Sequence, residues 1–331
     1  MNLFERVYGC LAGLALGDAL GMPTEFLTRE QIGKEFGWVD HPLRAPAWHP
    51  HHKLRAGQVT DDTGQALAVA HAYALDGSLT AEAVARELVA WSEQVGENLP
   101  LVVGPSTRLA LEQIKAGGDP RKTGRKGTTN GASYRAVIVG LVNCHHPEDL
   151  IPQVVEACLP THGTTTAISA GVAVASAVAQ AMLEGASLES IFDAAQLGAR
   201  EGRSHGVWAW GTPLEGRIEL ALKIVAESGS PEMALDDLAS CVGVDMLVAE
   251  SVATAFGLVS LAEGDVMLAV TYGANIGGDT DTMAAIAGAV CGAWQGIDAL
   301  DGKILARVEK INKLDLKAEA ERLVAIIDSK G

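Results

Sequence analysis

Two short acidic stretches carry most of the chemistry available to this 331-residue chain. Toward the C-terminal end, Asn275-Ile276-Gly277-Gly278-Asp279-Thr280-Asp281-Thr282 runs straight into the apolar segment Met283 to Ile297. Toward the N-terminal end, Gly57-Gln58-Val59-Thr60-Asp61-Asp62-Thr63 runs into a second apolar segment, Gly64 to Leu75. Carboxylates and hydroxyls flanked by glycine are the donor set of a hard cation such as magnesium, manganese or calcium, whereas zinc would call for His and Cys. A single Asp-Thr pair needs no metal, because Asp or Thr at a helix start satisfies free backbone N–H groups. Two such clusters at two helix starts point further, since adjacent carboxylates repel unless a cation or water lies between them. A shared metal centre is the reading that joins them.

Other residues are candidates by position. Glu25 follows the turn signal Met22-Pro23-Thr24, just beyond a glycine-rich helix end, where it is either a solvated loop residue or a carboxylate projecting into a cleft. Gly127-Thr128-Thr129-Asn130-Gly131-Ala132 opens a helix with small residues and free N–H groups; it suits a phosphate or ribose oxygen, or is an ordinary loop-to-helix junction. His162, in Thr161-His162-Gly163-Thr164, is either a ligand contact or a structural histidine. His49, His51 and His52 surround Pro50 with no paired cysteines, and are read as a mobile or substrate-facing loop rather than a zinc site. Trp208, Trp210 and Tyr134 are placed to stack on a base or to pack in the core.

These groups need a scaffold, and the composition indicates helices. The chain is 48% hydrophobic with few aromatics and much Ala and Gly, and no stretch alternates with period two, so an all-α fold without a sheet is expected. Gly9, Gly13, Gly17 and Gly21 recur every four residues and lie along one helical face, where another helix can come close. Thr60 is expected to cap a helix that includes Gln65 to Tyr73. Further helices are expected over 80–95, 105–115, 132–142, 149–158, 164–183, 188–200, 213–227, 231–239, 246–262, 264–273, 282–294 and 317–328. Residues 37–57 read as a long loop, and the basic run Arg121 to Lys126 as an exposed one. No linker stands out, and acidic clusters from opposite ends can meet only if the intervening helices form one fold. A single domain over 1–331 is therefore expected.

The formal charge of −16 gives no field for attracting nucleic acid or an anionic membrane, so neither is expected as a partner. A phosphate-bearing substrate would need a metal, an arginine or a helix N-terminus. Five scattered cysteines without a Cys-x-x-Cys spacing suit a reduced, cytoplasmic protein. Ala167 to Leu183 is uncharged but made of small residues, which fits a buried helix better than a membrane span.

With these stretches in view, the sequence resembles the ADP-ribosylglycohydrolase family, which includes dinitrogenase reductase-activating glycohydrolase. Gly13 to Phe26 resembles the family's opening G-x-x-x-G-D-A-x-G…E segment, and Thr60-Asp61-Asp62-Thr63 its first metal motif. Asn130-Gly131 looks like its Asn-Gly element, His162 its mid-chain histidine, and Gly278 to Thr282 its second metal motif. The resemblance covers residues 5 to about 297.

The resemblance implies a mainly orthogonal helical bundle with a dinuclear centre of two Mg2+ or Mn2+. Thr60, Asp61, Asp62, Asp279, Asp281 and Thr282 would be the metal ligands, Asp281 bridging. Glu25, Asp61 and Asp62 would be catalytic, and Asn130, Gly131, Ala132, His162 and Gly278 would line the substrate cleft. The implied activity is hydrolysis at ribose C1 of an ADP-ribosyl group on a protein or an ADP-ribose-like small molecule. The alternatives are a nucleosidase-like hydrolase of a smaller riboside, or a catalytically silent member of the fold. Tyr134-Arg135 stands where family members often have Met-Arg, and segments 37–57 and 203–210 match no family pattern. Those segments are where an aglycone or base would be read.

Overall fold

The computed structural model describes residues 1–330, and the chain is all-α. Among the described residues there is no β-strand, only isolated bridges between Thr129 and Leu247 and between Thr164 and Val207. The helices that build the core and the site are α1 (Leu3–Gly21), α2 (Asp61–Asp76), α3 (Ser133–Val142), α4 (Pro147–His162), α5 (Thr165–Ala181), α6 (Val248–Leu261), α7 (Val266–Asn275) and α8 (Thr280–Gln295). No helix is long and apolar enough to cross a membrane.

The expected helices are present, with shifted ends. α4 runs past the expected 149–158 to Pro147–His162 and carries Pro152 and Pro160 inside it. Helices Arg29–Phe36 and Gly302–Asn312 form where none was expected. Gly302–Asn312 carries Ile304, Leu305, Val308 and Ile311 at helical spacing, a periodicity that was there to read, whereas Arg29–Phe36 is short and mostly polar and its packing decides.

α1 and α8 lie antiparallel with their backbones in contact. A Cβ added at Gly13 would stand 2.1 Å from the Gly288 carbonyl oxygen, one at Gly17 2.1 Å from that of Ala284, and one at Gly21 2.4 Å from Asp281 Cα. The requirement is mutual, because a Cβ at Gly292 would stand 2.1 Å from the Gly9 oxygen. The four-residue glycine spacing thus serves close approach, and it delivers the C-terminal end of α1 to the N-terminal end of α8. Both helices are buried almost all round, as their apolar composition requires.

α1 also fixes the start of α2. Asp18, fully buried, accepts from the N–H and hydroxyl of Thr60 (2.8 and 2.9 Å) and from the N–H and hydroxyl of Thr63 (3.0 and 2.5 Å). Thr60 occupies the N-cap position, but its side chain makes no capping bond, so the expectation that Thr60 caps the helix is corrected. The cap is supplied from another helix. Asp18 accepts four bonds where a Thr60 cap would make one, and the Thr60 hydroxyl it holds also lies 3.3 Å from Asp281 Oδ2.

Adding a methyl at this helix contact should be far more damaging than adding one elsewhere. Gly13→Ala is expected to lower unfolding stability by about 3 kcal/mol through overpacking against backbone. Gly33→Ala has open space around it on an exposed helical turn and should raise stability by about 0.5–1 kcal/mol. Urea unfolding of both variants measures the contrast, and equal effects would remove the claim that the α1–α8 approach is tight.

Candidate active site

The α1–α8 contact and the Asp18 cap bring two acidic helix starts together. Asp61 and Asp62 come from the first turn of α2, and Asp279 and Asp281 from the start of α8. Glu25 arrives just beyond α1 and is 7% exposed. All five carboxylates and Thr282 line one cleft of about 390 Å³. Also lining it are Thr129, Asn130, Gly131, Tyr134, His162 and Met246, with His51 and the segment Pro100 to Thr107. Thr60 lies behind the aspartates, its hydroxyl 3.3 Å from Asp281 Oδ2.

Two expected substrate contacts do not line the cleft. Ala132 is buried at the start of α3. Gly278 serves the backbone: at φ +71° its N–H donates to Leu27 O (2.8 Å) and its carbonyl accepts from Phe26 N–H (2.8 Å). A Cβ there would meet Val244 O at 2.2 Å. Gly278 thus ties the Glu25 segment to the start of α8. Trp208 and Trp210 are also absent from the cleft, being exposed beside a separate pocket with Thr165 and Arg203.

Neutral groups hold the aspartates in place. Tyr134 donates its phenol to Asp61 Oδ2 (2.8 Å), and Gln65 Nε2 donates to the same oxygen (2.5 Å). Asn130 Nδ2 donates to Asp279 and to Ser251 Oγ, the latter at 2.8 Å. Both amide protons of Asn130 are therefore committed, and its amide orients Asp279. Thr282 N–H donates to Asp281 Oδ1 (3.0 Å), and the Thr282 hydroxyl lies 3.4 Å from Asp62 Oδ1.

A fully buried arginine lies beneath this layer. Arg135 donates to Gln65 Oε1 (3.2 Å) and to Thr161 Oγ1 (2.5 Å). Thr161 Oγ1 also lies 2.8 Å from His162 Nδ1. On its other side His162 Nε2 lies 2.9 Å from Thr129 Oγ1, a hydroxyl that can donate or accept. Burial, then Arg135, lowers the His162 pKa to about 3, so the ring is neutral. Gly131 leaves room for it, since a Cβ there would stand 2.6 Å from His162 Cε1.

The acidic cluster is under electrostatic strain. Burial first, and the neighbouring carboxylates next, raise the pKa values of Asp62, Asp281 and Glu25 well above the usual range. Burial raises Asp61 to about 7, opposed by the Tyr134 bond, and Asp279 to about 6, opposed by the Asn130 bond. Asp62 Oδ2 is buried and has no hydrogen-bond partner. Among the described residues no Lys or Arg pairs with any of the four aspartates. An orphaned carboxylate oxygen among oxygen donors fits a hard dication.

An all-helical fold with two Asp-Thr helix starts facing one cleft defines the class, and the sequence model of the ADP-ribosylglycohydrolase family matches residues 1–331. The chain belongs to the ADP-ribosylglycohydrolase family. It is 34% identical over 322 residues, 96% of each chain, to the uncharacterized protein YegU of Escherichia coli (strain K12). The ADP-ribosyl-(dinitrogen reductase) glycohydrolase of Rhodospirillum rubrum is 31% identical over 164 residues, 49% of this chain and 52% of that one. A solved structure described as an ADP-ribosylglycohydrolase-related protein complex superposes with a TM-score of 0.71 at 26% identity, covering 98% of each chain.

Sequence reasoning missed Asp18 as the cap of α2, Gln65 and Ser251 as supports, and the 100–107 wall. Asp18 had a signal in its place within the Gly-Asp-Ala segment of a helix otherwise apolar. Gln65 had one too, standing four residues after Asp61 on the same helical face, whereas Ser251 and the 100–107 wall have none, because their partners are distant in the chain.

Carboxylates whose folded pKa is raised stabilise the fold below their unfolded pKa and lose that contribution as pH rises through the folded value. Chelated protein should therefore lose stability from this cluster between about pH 4 and about pH 7. A bound dication removes the penalty, so the rise in Tm on adding Mn2+ should be larger at about pH 8 than at about pH 5. Thermal melts with chelator and with Mn2+ test this, and a rise that does not grow with pH would contradict it.

Proposed function

We propose that the protein is a metal-dependent hydrolase of the glycosidic bond at ribose C1 of an ADP-ribosyl group carried by a protein or a small-molecule acceptor. The observation that carries the metal requirement is Asp62 Oδ2, buried without a partner among four aspartates that no cationic side chain neutralises. Thr60, Asp61, Asp62, Asp279, Asp281 and Thr282 would hold two Mg2+ or Mn2+. Bound there, the cations supply anchorage for ribose hydroxyls and acidify a water. Family membership and the likeness to the R. rubrum glycohydrolase support the ADP-ribosyl substrate.

The chain's own groups then have distinct tasks. Cleavage at C1 builds positive charge on the ribose ring, and the clustered carboxylates face that charge. Glu25 moves the proton, taking it from the attacking water or giving it to the leaving group. Tyr134 and Gln65 hold Asp61, and Asn130 holds Asp279, so the ligand oxygens keep their places without rearrangement. α3 begins beside the cleft without a side-chain cap; Ser133 N–H donates to Asn130 O (2.7 Å), and the next N–H groups of the first turn suit a diphosphate in a protein whose net charge repels one.

Asp281→Asn is expected to abolish the metal-dependent rise in Tm and to lower turnover of an ADP-ribosylated substrate by at least about 100-fold. In chelator the same variant should melt about 2–4 °C higher than wild type, because a repelling carboxylate is gone. Unchanged metal response and turnover would sink the assignment. In parallel, ADP-ribose with Mg2+ should raise Tm more than ribose does. Equal rises would favour a smaller riboside, and no rise with either would favour a non-catalytic member of the fold.

A further inference from the structure

The loop 37–57, which matches no family pattern, reaches the site through two histidines. It is pinned on either side of them: Asn275, next to the second acidic motif, accepts from Val39 N–H (3.0 Å) and donates to Val39 O (2.7 Å). Leu54 packs with Met22 and Val102. Between these anchors His49 and His51 are buried, 1% and 3% exposed, and Pro50 and His51 line the cleft.

Their hydrogen bonds converge on one residue. His49 Nε2 faces the Glu25 carbonyl oxygen (2.6 Å), and His49 Nδ1 accepts from His51 N–H (3.0 Å). A carbonyl oxygen can only accept and a backbone N–H can only donate, so His49 is held as the neutral Nε2–H tautomer. His51 Nε2 contacts Glu25 Oε2. Pro50 stands between the two histidines in the chain, fixing φ at the centre of the turn. The Phe26 ring lies 6.3 Å from the His49 ring and 5.9 Å from that of His51. Phe26 itself adopts φ +65°, an unfavourable conformation for a bulky residue. The backbone at Glu25–Phe26 is thus constrained by Gly278 on one side and by the histidine turn on the other.

We propose that the His49-Pro50-His51 turn is a two-point clamp on Glu25, in which His49 fixes the backbone and His51 is a positioning residue that engages one carboxylate oxygen. The other oxygen is then left for the cleft and for Asp281, whose ligand atom lies within 4.8 Å of those of Glu25 and His51. Orientation of a long, flexible Glu side chain is a substantial part of its usefulness in proton transfer, since small misplacements slow a reaction strongly. The clamp rests on the reading of Glu25 as the proton-transfer group.

Two measurements test it. In protein labelled with 15N-histidine, long-range 1H–15N spectra should show His49 with a protonated Nε2 and a bare Nδ1. Glu25→Gln should shift the His51 ring resonances while leaving the His49 tautomer unchanged. A His51 ring indifferent to Glu25→Gln, or a His49 ring averaging both tautomers, would overturn the clamp whatever the enzyme's substrate. In turnover of an ADP-ribosylated substrate, His51→Phe should lower kcat about 10- to 100-fold with little change in KM. His51→Gln, which retains an amide donor, should recover part of the loss, and His41→Gln, exposed in the same loop, should match wild type. Wild-type kcat in His51→Phe would overturn the positioning role. Wild-type protein that hydrolyses no ADP-ribosyl linkage would refute the proposed function, and the spectra alone would then decide the clamp.

Discussion

The site exists because two helix backbones touch. Side chains normally keep helix axes 8–10 Å apart. Along α1 and α8 glycines at 9, 13, 17, 288 and 292 remove that spacer. The contact is antiparallel and in fixed register, so the C-terminal end of α1 has one place to go, against the N-terminal turn of α8. Asp18 then converts this register into a position for α2, holding Thr60 and Thr63 by backbone and side chain together. Three chain segments distant in sequence are thereby set relative to one another by close packing and one buried carboxylate. The acidic residues sit where these constraints meet, so they inherit rigidity from the scaffold.

That rigidity maintains an arrangement which electrostatics alone would disperse. Four aspartates and a glutamate share a buried space, and burial together with mutual repulsion disfavours their charged forms. The side chains around them respond with neutral donors: Tyr134 and Gln65 for Asp61, Asn130 for Asp279. A permanent cation placed directly among the aspartates would satisfy them and compete with a metal. Arg135 instead stands one layer back and acts through Gln65, which leaves the aspartate oxygens to a diffusible ion.

Much of this was legible in the sequence because its causes are local. Glycine every fourth residue reports a close helix contact, and Asp-Thr pairs before an apolar run report acidic helix starts. Thr60, Asp61, Asp62, Asp279, Asp281, Thr282, Glu25, Asn130, Gly131 and His162 do come together around one cleft. What local reading got wrong follows from its being local. It assigned the cap of α2 to Thr60, the residue in the right position, when a carboxylate 42 residues away makes the better bonds. It took Gly278 as a substrate contact, when its conformation and its bonds to Phe26 and Leu27 serve the chain's own turn. The histidine loop had no periodicity to read, and its contacts lie with residues far along the sequence.

The cleft draws its walls from two kinds of segment. The carboxylates and their supports lie at helix starts inside the packed scaffold, where a change of even one methyl is felt. The rest of the cleft comes from segments outside that scaffold: the 37–57 loop, residues 100 to 107, and Met246 before α6. Such segments tolerate change without disturbing the α1–α8 register. A chain of contacts from Arg135 through Thr161 and His162 to Thr129 crosses from one region to the other. It joins a buried guanidinium to a hydroxyl dipole on the cleft wall. In a protein whose overall field repels an anionic ligand, recognition at such a wall must come from oriented local dipoles of this kind rather than from net charge.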